Sequence, residues 1–185
     1  MKKIFISVML SYSITCFAQE IERKESKAGM LRLTGAIQHT HIRHNTNERV
    51  KGIFVTGWAF DADYWLSNRV AFGLTSDIIL ENFIIHKDSE SGIAELERNF
   101  PVSLVPTLYF RPLGNLNLFT GYGLELSKEK DLNLFRVGIE YGFELPQNWE
   151  IGVSAIYDTK IDAYDSYSLG VGISKHLRFG RHMHK

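Results

Sequence analysis

Cysteine is nearly missing from this chain: Cys16 is the only one among 185 residues. Everything after the N-terminal segment therefore has no disulfide framework, no thiolate nucleophile and no cysteine metal site. Long apolar runs are missing as well. Beyond the N-terminal segment no stretch approaches the roughly 20 apolar residues of a membrane helix. A charge excess is missing too, since 21 basic residues meet 21 acidic ones. A nucleic-acid binder carries a basic stripe, and none is present here.

What is there begins with MKKIFISVMLSYSITCFAQE, which has the three parts of a secretory signal. Lys2 and Lys3 form the charged region, Ile4 to Ile14 the apolar core, and Cys16-Phe17-Ala18 the small-x-small cleavage site. Residues 1–18 are thus expected to be removed, leaving Gln19 first. A retained anchor fits less well, because Ser11, Tyr12 and Ser13 interrupt the core; Ser13-Ile14-Thr15 is a poor lipobox. Losing Lys2 and Lys3 gives the remainder a slight negative charge. Its length, about 165 residues, suits one domain.

The rest alternates. In Phe135 to Tyr157, Phe135, Val137, Ile139, Tyr141, Phe143 and Leu145 share one parity, while Arg136, Gly138, Glu140, Gly142 and Glu144 share the other. After the turn Pro146-Gln147-Asn148, Trp149, Ile151, Val153, Ala155 and Tyr157 resume the pattern. Period-two alternation marks a strand with two unlike faces. Here one face is bulky and the other mixes glycine with charge. Seven such stretches reach from Leu31 to Tyr157, and the last, Tyr167 to Phe179, makes eight. The connections read as long and short in alternation, the longest being His86 to Arg98. Pro106 lies inside a strand where it has no donor for the ladder, which predicts a bulge or a local break.

A soluble barrel of lipocalin type would line its inside with apolar side chains. The polarity here is the reverse, as in a barrel whose outside meets lipid. Lipid supplies no hydrogen-bond partners, so such a sheet must close. The expected fold is all-β: an eight-stranded antiparallel transmembrane up-and-down barrel over residues 30–179. A periplasmic lead over 19–29 precedes it and a periplasmic tail over 180–185 follows. Tyr64, Trp65, Phe110 and Trp149 suit the aromatic girdle at the turn end, and Phe83, Tyr157 and Tyr167 the one at the loop end.

The signal, the eight alternating stretches, the loop asymmetry and Phe179 closing the last strand resemble the small outer-membrane barrels of the OmpA/OmpX type. The likeness spans nearly all of the chain after the signal and rests on pattern. It implies the bacterial outer membrane, contact with its lipid and lipopolysaccharide, insertion by the barrel-assembly machinery, and a monomer. It implies no cofactor. Gly180 to Lys185 depart from the pattern, since such barrels usually stop at the terminal aromatic.

The inward parity carries Asp61, Asp63, Asp77, Glu81, Glu125, Glu140, Glu144, Glu150 and Asp158 against Arg32, Arg111, Arg136 and Lys160. Eight strands leave a lumen that side chains fill, so these charges read first as a plug of ion pairs. The other reading is a cation site or pathway. Counting from the loop after Leu126 pairs Glu125 with Arg136 across two strands. His39 and His41 lie on one strand face, as metal-binding imidazoles would, but they share the outward register of Leu31, Leu33 and Ile37. Ser174, His176 and Glu150 have the residue types of an acyl-transfer triad, yet would face the lumen at the turn end. The expectation is a non-enzymatic barrel with a structural or surface-interaction role. Solute or cation handling is the alternative, and lipid modification the third.

Overall fold

A computed structural model describes residues 26–43, 52–89 and 92–178. The expected signal, the lead up to residue 25, the loop over 44–51, Phe179 and the tail over 180–185 lie outside the described residues. Alternation becomes strand throughout. The chain forms β1 (Met30–Arg43), β2 (Gly52–Trp65), β3 (Val70–Ile79), β4 (Phe83–Ser89), β5 (Gly92–Arg98), β6 (Val102–Leu113), β7 (Leu116–Leu126), β8 (Leu132–Leu145), β9 (Trp149–Lys160) and β10 (Tyr164–Arg178).

Eight of these close in the order β1-β10-β9-β8-β7-β6-β3-β2, every pair antiparallel. The remaining two, β4 and β5, pair as a separate hairpin within the β3–β6 connection. Closure leaves the barrel strands no unpaired edge, which lipid requires.

Parity divides the residues cleanly. Ile37, Phe60, Leu108, Ile139 and Val171 point out and are well exposed, whereas Arg32, Glu125 and Arg136 point in and are at most 1% exposed. This inversion of the usual soluble pattern makes the outside a lipid-facing belt. Tyr64, Phe110, Trp149 and Tyr167 lie exposed in that belt as expected. Two of the expected girdle aromatics do not. Trp65 is fully buried, because its parity is that of Asp61 and Asp63, and it closes the lumen at the turn end. Phe83 is buried at the loop end with Ile42, Val55, Ile79, Ile85, Leu132 and Tyr164.

Two further expectations change, and a third, at Pro106, holds as a local break without a bulge. His86 to Arg98 is not an open loop: it makes up most of hairpin β4–β5, whose register runs from Phe83 opposite Arg98 to Ser89 opposite Gly92. The stretch between Tyr157 and Tyr167, outside the alternation of the sequence, is a connection only over Ile161–Ala163, since Lys160, Tyr164 and Ser166 are lumen positions of β9 and β10. That loop is no longer than a turn, so the long–short asymmetry rests on the other connections. Pro106 sits in unshifted register with Leu74 of β3. On its other side the β6–β7 pairing skips Val105 and Pro106 without slipping, and the register shift falls between Phe110 and Leu113 instead. Proline removes a donor at one rung; it does not add a residue.

The turns have local causes. Gly114 takes φ +49° between β6 and β7, and Gln147 and Asn148 take φ 61° and 62° after Pro146. Left-handed backbone of this kind suits tight hairpins.

Candidate functional site

The lumen holds the charged residues singled out in the sequence, and the register decides who meets whom. In the middle, Arg136 of β8 pairs with Asp158 of β9 in sheet register. Arg136 Nε and Nη2 donate to the two Asp158 oxygens at 2.8 and 2.7 Å; Nη2 also reaches Asp77 of β3, and Nη1 donates to Thr75 Oγ1 at 3.0 Å. Gln38 Nε2 donates to the other Asp77 oxygen at 2.7 Å. One guanidinium thus joins opposite walls of the barrel. A planar fork matches a carboxylate in this bidentate way.

At the turn end Arg32 does similar work. Its Nε donates to Asp63 at 2.9 Å, and its Nη1 meets Glu140 and, at 3.4 Å, Glu150. Asn117 donates to Glu140 at 2.7 Å and accepts from Arg111 Nε at 2.8 Å. The Arg111 guanidinium lies 4.1 Å above the Trp65 ring centre, a cation–π contact that seals this end. Lys27, ahead of β1, places Nζ 2.8 Å from Glu150 and 3.3 Å from Glu144. Burial lowers the pKa of its ammonium, against the pull of Glu150.

At the loop end Glu125 is the hub. Arg98 of hairpin β4–β5 donates Nε to it at 3.0 Å and adds a second contact through Nη2; Tyr164 Oη donates at 2.7 Å. Lys160 Nζ lies 3.7 Å from Glu125 and 3.5 Å from Asp158, which links this layer to the middle one. Above Glu125 the apolar cluster closes the mouth.

Several expectations are corrected by this geometry. Glu125 does not pair with Arg136: β8 begins at Leu132, so Glu125 lies opposite Leu132 and Arg136 opposite Gly121. Glu81 does not enter the lumen, because β3 ends at Ile79; its exposed carboxylate accepts the Thr56 N–H at 3.0 Å. Glu144 is exposed at the turn end. The apparent acid excess also shrinks, since Arg98 and Lys27 join the network. Both lie in charged segments of the sequence without periodicity, and no local pattern marks either as a lumen residue.

Asp61 differs from its neighbours. Among the described residues no hydrogen bond or ion pair ties it down. It lines a cavity of about 20 Å³ with Gln38, Asp77, Tyr109, Arg136 and Glu140, room for on the order of one water.

Ser174, His176 and Glu150 do not assemble as a relay. Ser174 Oγ shares a 2.8 Å hydrogen bond with Thr34 Oγ1, and neither His176 nitrogen makes a hydrogen bond among the described residues. Glu150 lies 3.4 Å from His176 but engages Lys27 and Arg32. His39 and His41 face outward beside Phe54, with ring centres 5.7 and 4.7 Å from its own. Among the described residues no group of three or more His, Cys, Asp or Glu is placed to hold a metal.

Solved structures share this architecture. Ail, the attachment invasion locus protein of Yersinia pestis, in complex with the heparin analogue sucrose octasulfate, aligns at a TM-score of 0.56 and 13% identity, over 81% of this chain and 99% of that one. Neisserial surface protein A, NspA, aligns at 0.51 and 11% identity, over 82% and 99%. No protein-family model matches the sequence, and no curated protein matches it. At such identities the likeness shows the fold, that of small eight-stranded outer-membrane barrels. Closed sheet, apolar exterior and ion-paired lumen agree with it, and this chain has the fold of an eight-stranded transmembrane β-barrel.

Proposed function

We propose that the protein is a closed, non-enzymatic barrel with a structural or surface-interaction role, oriented with hairpin β4–β5 outside the cell as its contact surface. The observation that carries this reading is the lumen itself. Three layers of ion pairs, the upper two linked through Lys160, and an apolar cluster occupy it, and the hairpin is fastened to the uppermost layer through Arg98 and Glu125. Loops on a rigid scaffold are where barrels of this size place recognition. The polysulfate seen with Ail is not carried over, because the loop end mixes exposed Glu95, Glu97, Glu129 and Asp131 with Lys128 and Lys130. Two measurements test the proposal. In planar bilayers the protein should give no sustained conductance, and an epitope inserted at Gly92 should be labelled on intact cells. Steady channel currents, or labelling only after the outer membrane is opened, would refute it.

Asp61 supports a second reading, cation handling, because it is a lumen carboxylate on the cavity that makes no hydrogen bond or ion pair among the described residues. On that reading a monovalent or divalent cation raises the melting temperature saturably, and Asp61→Asn abolishes the rise.

A further inference from the structure

The lipid face of the barrel is neutral along most of its loop end. At the last outward positions of β3, β6, β7, β8 and β9 stand Ile78, Val102, Leu126, Asn133 and Thr159. Strand β1 breaks this pattern. His39, His41 and Arg43 occupy successive outward positions, so two imidazoles and a guanidinium stand in a column at ~6.6–6.8 Å intervals. Among the described barrel positions the other outward cation, Lys175, lies at the opposite end, with Nζ 2.5 Å from the Gln147 carbonyl oxygen and 4.7 Å from the Trp149 ring centre.

Register fixes the depth of the column. His41 lies opposite Tyr167 of β10, and Tyr167 lies opposite Tyr157 of β9, their rings 5.0 Å apart. Tyrosines on the lipid face mark the level of the headgroups. His41 therefore sits at that level, Arg43 just outside it and His39 just within. Phe54 of β2, 63% exposed, supports both imidazoles from the side. The Gly52 position is bare because a Cβ there would lie 1.6 Å from His41 Nε2. Among the described residues Asp165 of β10 is the acid that lies opposite Arg43.

We infer that this column is a docking site for one phosphorylated lipid, bound by its headgroup in the leaflet at the loop end. Arg43 supplies a guanidinium fork that matches a phosphate. Each imidazole donates at least one N–H. Phe54 and Tyr167 offer apolar flanks to the acyl chains below. A hydrated anion in bulk water would gain little from so shallow a surface. A lipid is already held at this depth, which raises its effective concentration. The site is independent of whether the lumen conducts, so it stands or falls apart from the role proposed above.

The test uses the full chain refolded into phosphatidylcholine nanodiscs doped with either phosphorylated lipid A or its dephosphorylated form. Co-purified lipid is counted by native mass spectrometry. The wild type should retain the phosphorylated lipid roughly tenfold better, the equivalent of one charge-assisted hydrogen bond. His39→Gln/His41→Gln/Arg43→Gln should abolish that preference, Lys175→Gln should preserve it, and Asp165→Asn should strengthen it. Heat-modifiable migration on gels identifies folded variants, and the single Arg43→Gln variant replaces the triple if the latter does not fold. Equal retention of both lipids, or an undiminished preference in the variant, overturns the inference. Displacement of the lipid by excess inorganic phosphate overturns it too. So does stoichiometric zinc binding lost with the two histidines, which would assign the imidazoles to a metal.

Discussion

Arg136 and Asp158 face each other in sheet register on β8 and β9 and share a two-pronged ion pair inside the lumen, at 2.8 and 2.7 Å. Because Arg136 also reaches Asp77 on β3, this one side chain spans the barrel. Both groups are almost completely buried. Such a pair offers little net stability over an apolar substitute, but breaking it strands a buried charge.

Arg136→Ala should therefore destabilise the barrel by about 3–5 kcal/mol. Arg136→Ala with Asp158→Ala should cost less than the sum of the single changes. A double-mutant cycle by urea titration in detergent measures the coupling. The corresponding cycle for Arg136 and Glu125, which do not touch, should give a clearly smaller coupling. Equal coupling in the two cycles would contradict the register.

A second prediction concerns space rather than charge. A Cβ at Gly123 would lie 2.1 Å from the Leu104 carbonyl oxygen and 2.7 Å from the Val105 Cα, both backbone atoms that side-chain motion cannot relieve. At Gly152 the nearest atom would be Glu140 Cγ at 3.6 Å, an ordinary contact. Gly123→Ala should destabilise by about 1–3 kcal/mol, as overpacking does, and Gly152→Ala by much less. Comparing the unfolding midpoints checks the order, and a more harmful Gly152→Ala would place the inward glycines wrongly.

Much of this architecture is legible in the residues, for a physical reason. With lipid outside and charge inside, each strand position has only two environments, and parity separates Ile139 from Glu140 without knowledge of the rest. Register is less legible. The pairing of Glu125 with Arg136 fails because Asn133, ahead of the alternation that starts at Phe135, is already an outward position of β8. Lys160, Tyr164 and Ser166 interrupt the apolar rhythm and resemble a loop, yet a polar lumen accepts them as strand. Arg98 and Lys27 are harder still. Each reaches the lumen from outside the barrel strands, so no periodicity announces it; only the unmatched carboxylates Glu125 and Glu150 signal that cations are owed. Most of the hairpin lies in a charged stretch, although Phe83-Ile84-Ile85, which opens it, is strand-like.

The lipid face can be tested at Ile139, outward on β8 and 43% exposed. Replacement by Arg near the bilayer midplane should cost about 2–4 kcal/mol of folding free energy into liposomes. Ile139→Leu should be nearly neutral. The same Arg replacement at Leu145, at the turn-end rim of β8, should cost about 0–1 kcal/mol. Folding yields that fail to separate Ile139→Arg from Ile139→Leu would contradict the outward assignment.

The last prediction concerns the latch that holds the hairpin to the barrel. Below β5, Asn99 donates its backbone N–H to Ser127 Oγ at 3.3 Å, and its side-chain amide donates to Glu129. Ser127 Oγ–H donates to the same carboxylate at 2.7 Å. Arg98 Nη1 donates to the Lys130 carbonyl oxygen, so two adjacent residues fasten the hairpin to the β7–β8 loop. The hydrogen bond from Ser127, and then the one from Asn99, lowers the Glu129 pKa to about 2. A carboxylate depressed in the folded state stabilises above its unfolded value, ordinarily about 4.3 for Glu. That contribution is lost as the pH falls through the folded value, here about 2. Amide hydrogen exchange at Asn99 should therefore stay slow from neutral pH to about 4, then accelerate, beyond the intrinsic pH effect, as the pH approaches 2. Glu129→Gln should remove this acid-dependent step while leaving exchange in the barrel strands unchanged. Arg98→Ala should accelerate exchange throughout β4 and β5 at neutral pH, because it also removes the Glu125 anchor. An Asn99 amide that exchanges equally fast in wild type and Glu129→Gln at neutral pH would show that the carboxylate does not hold the latch.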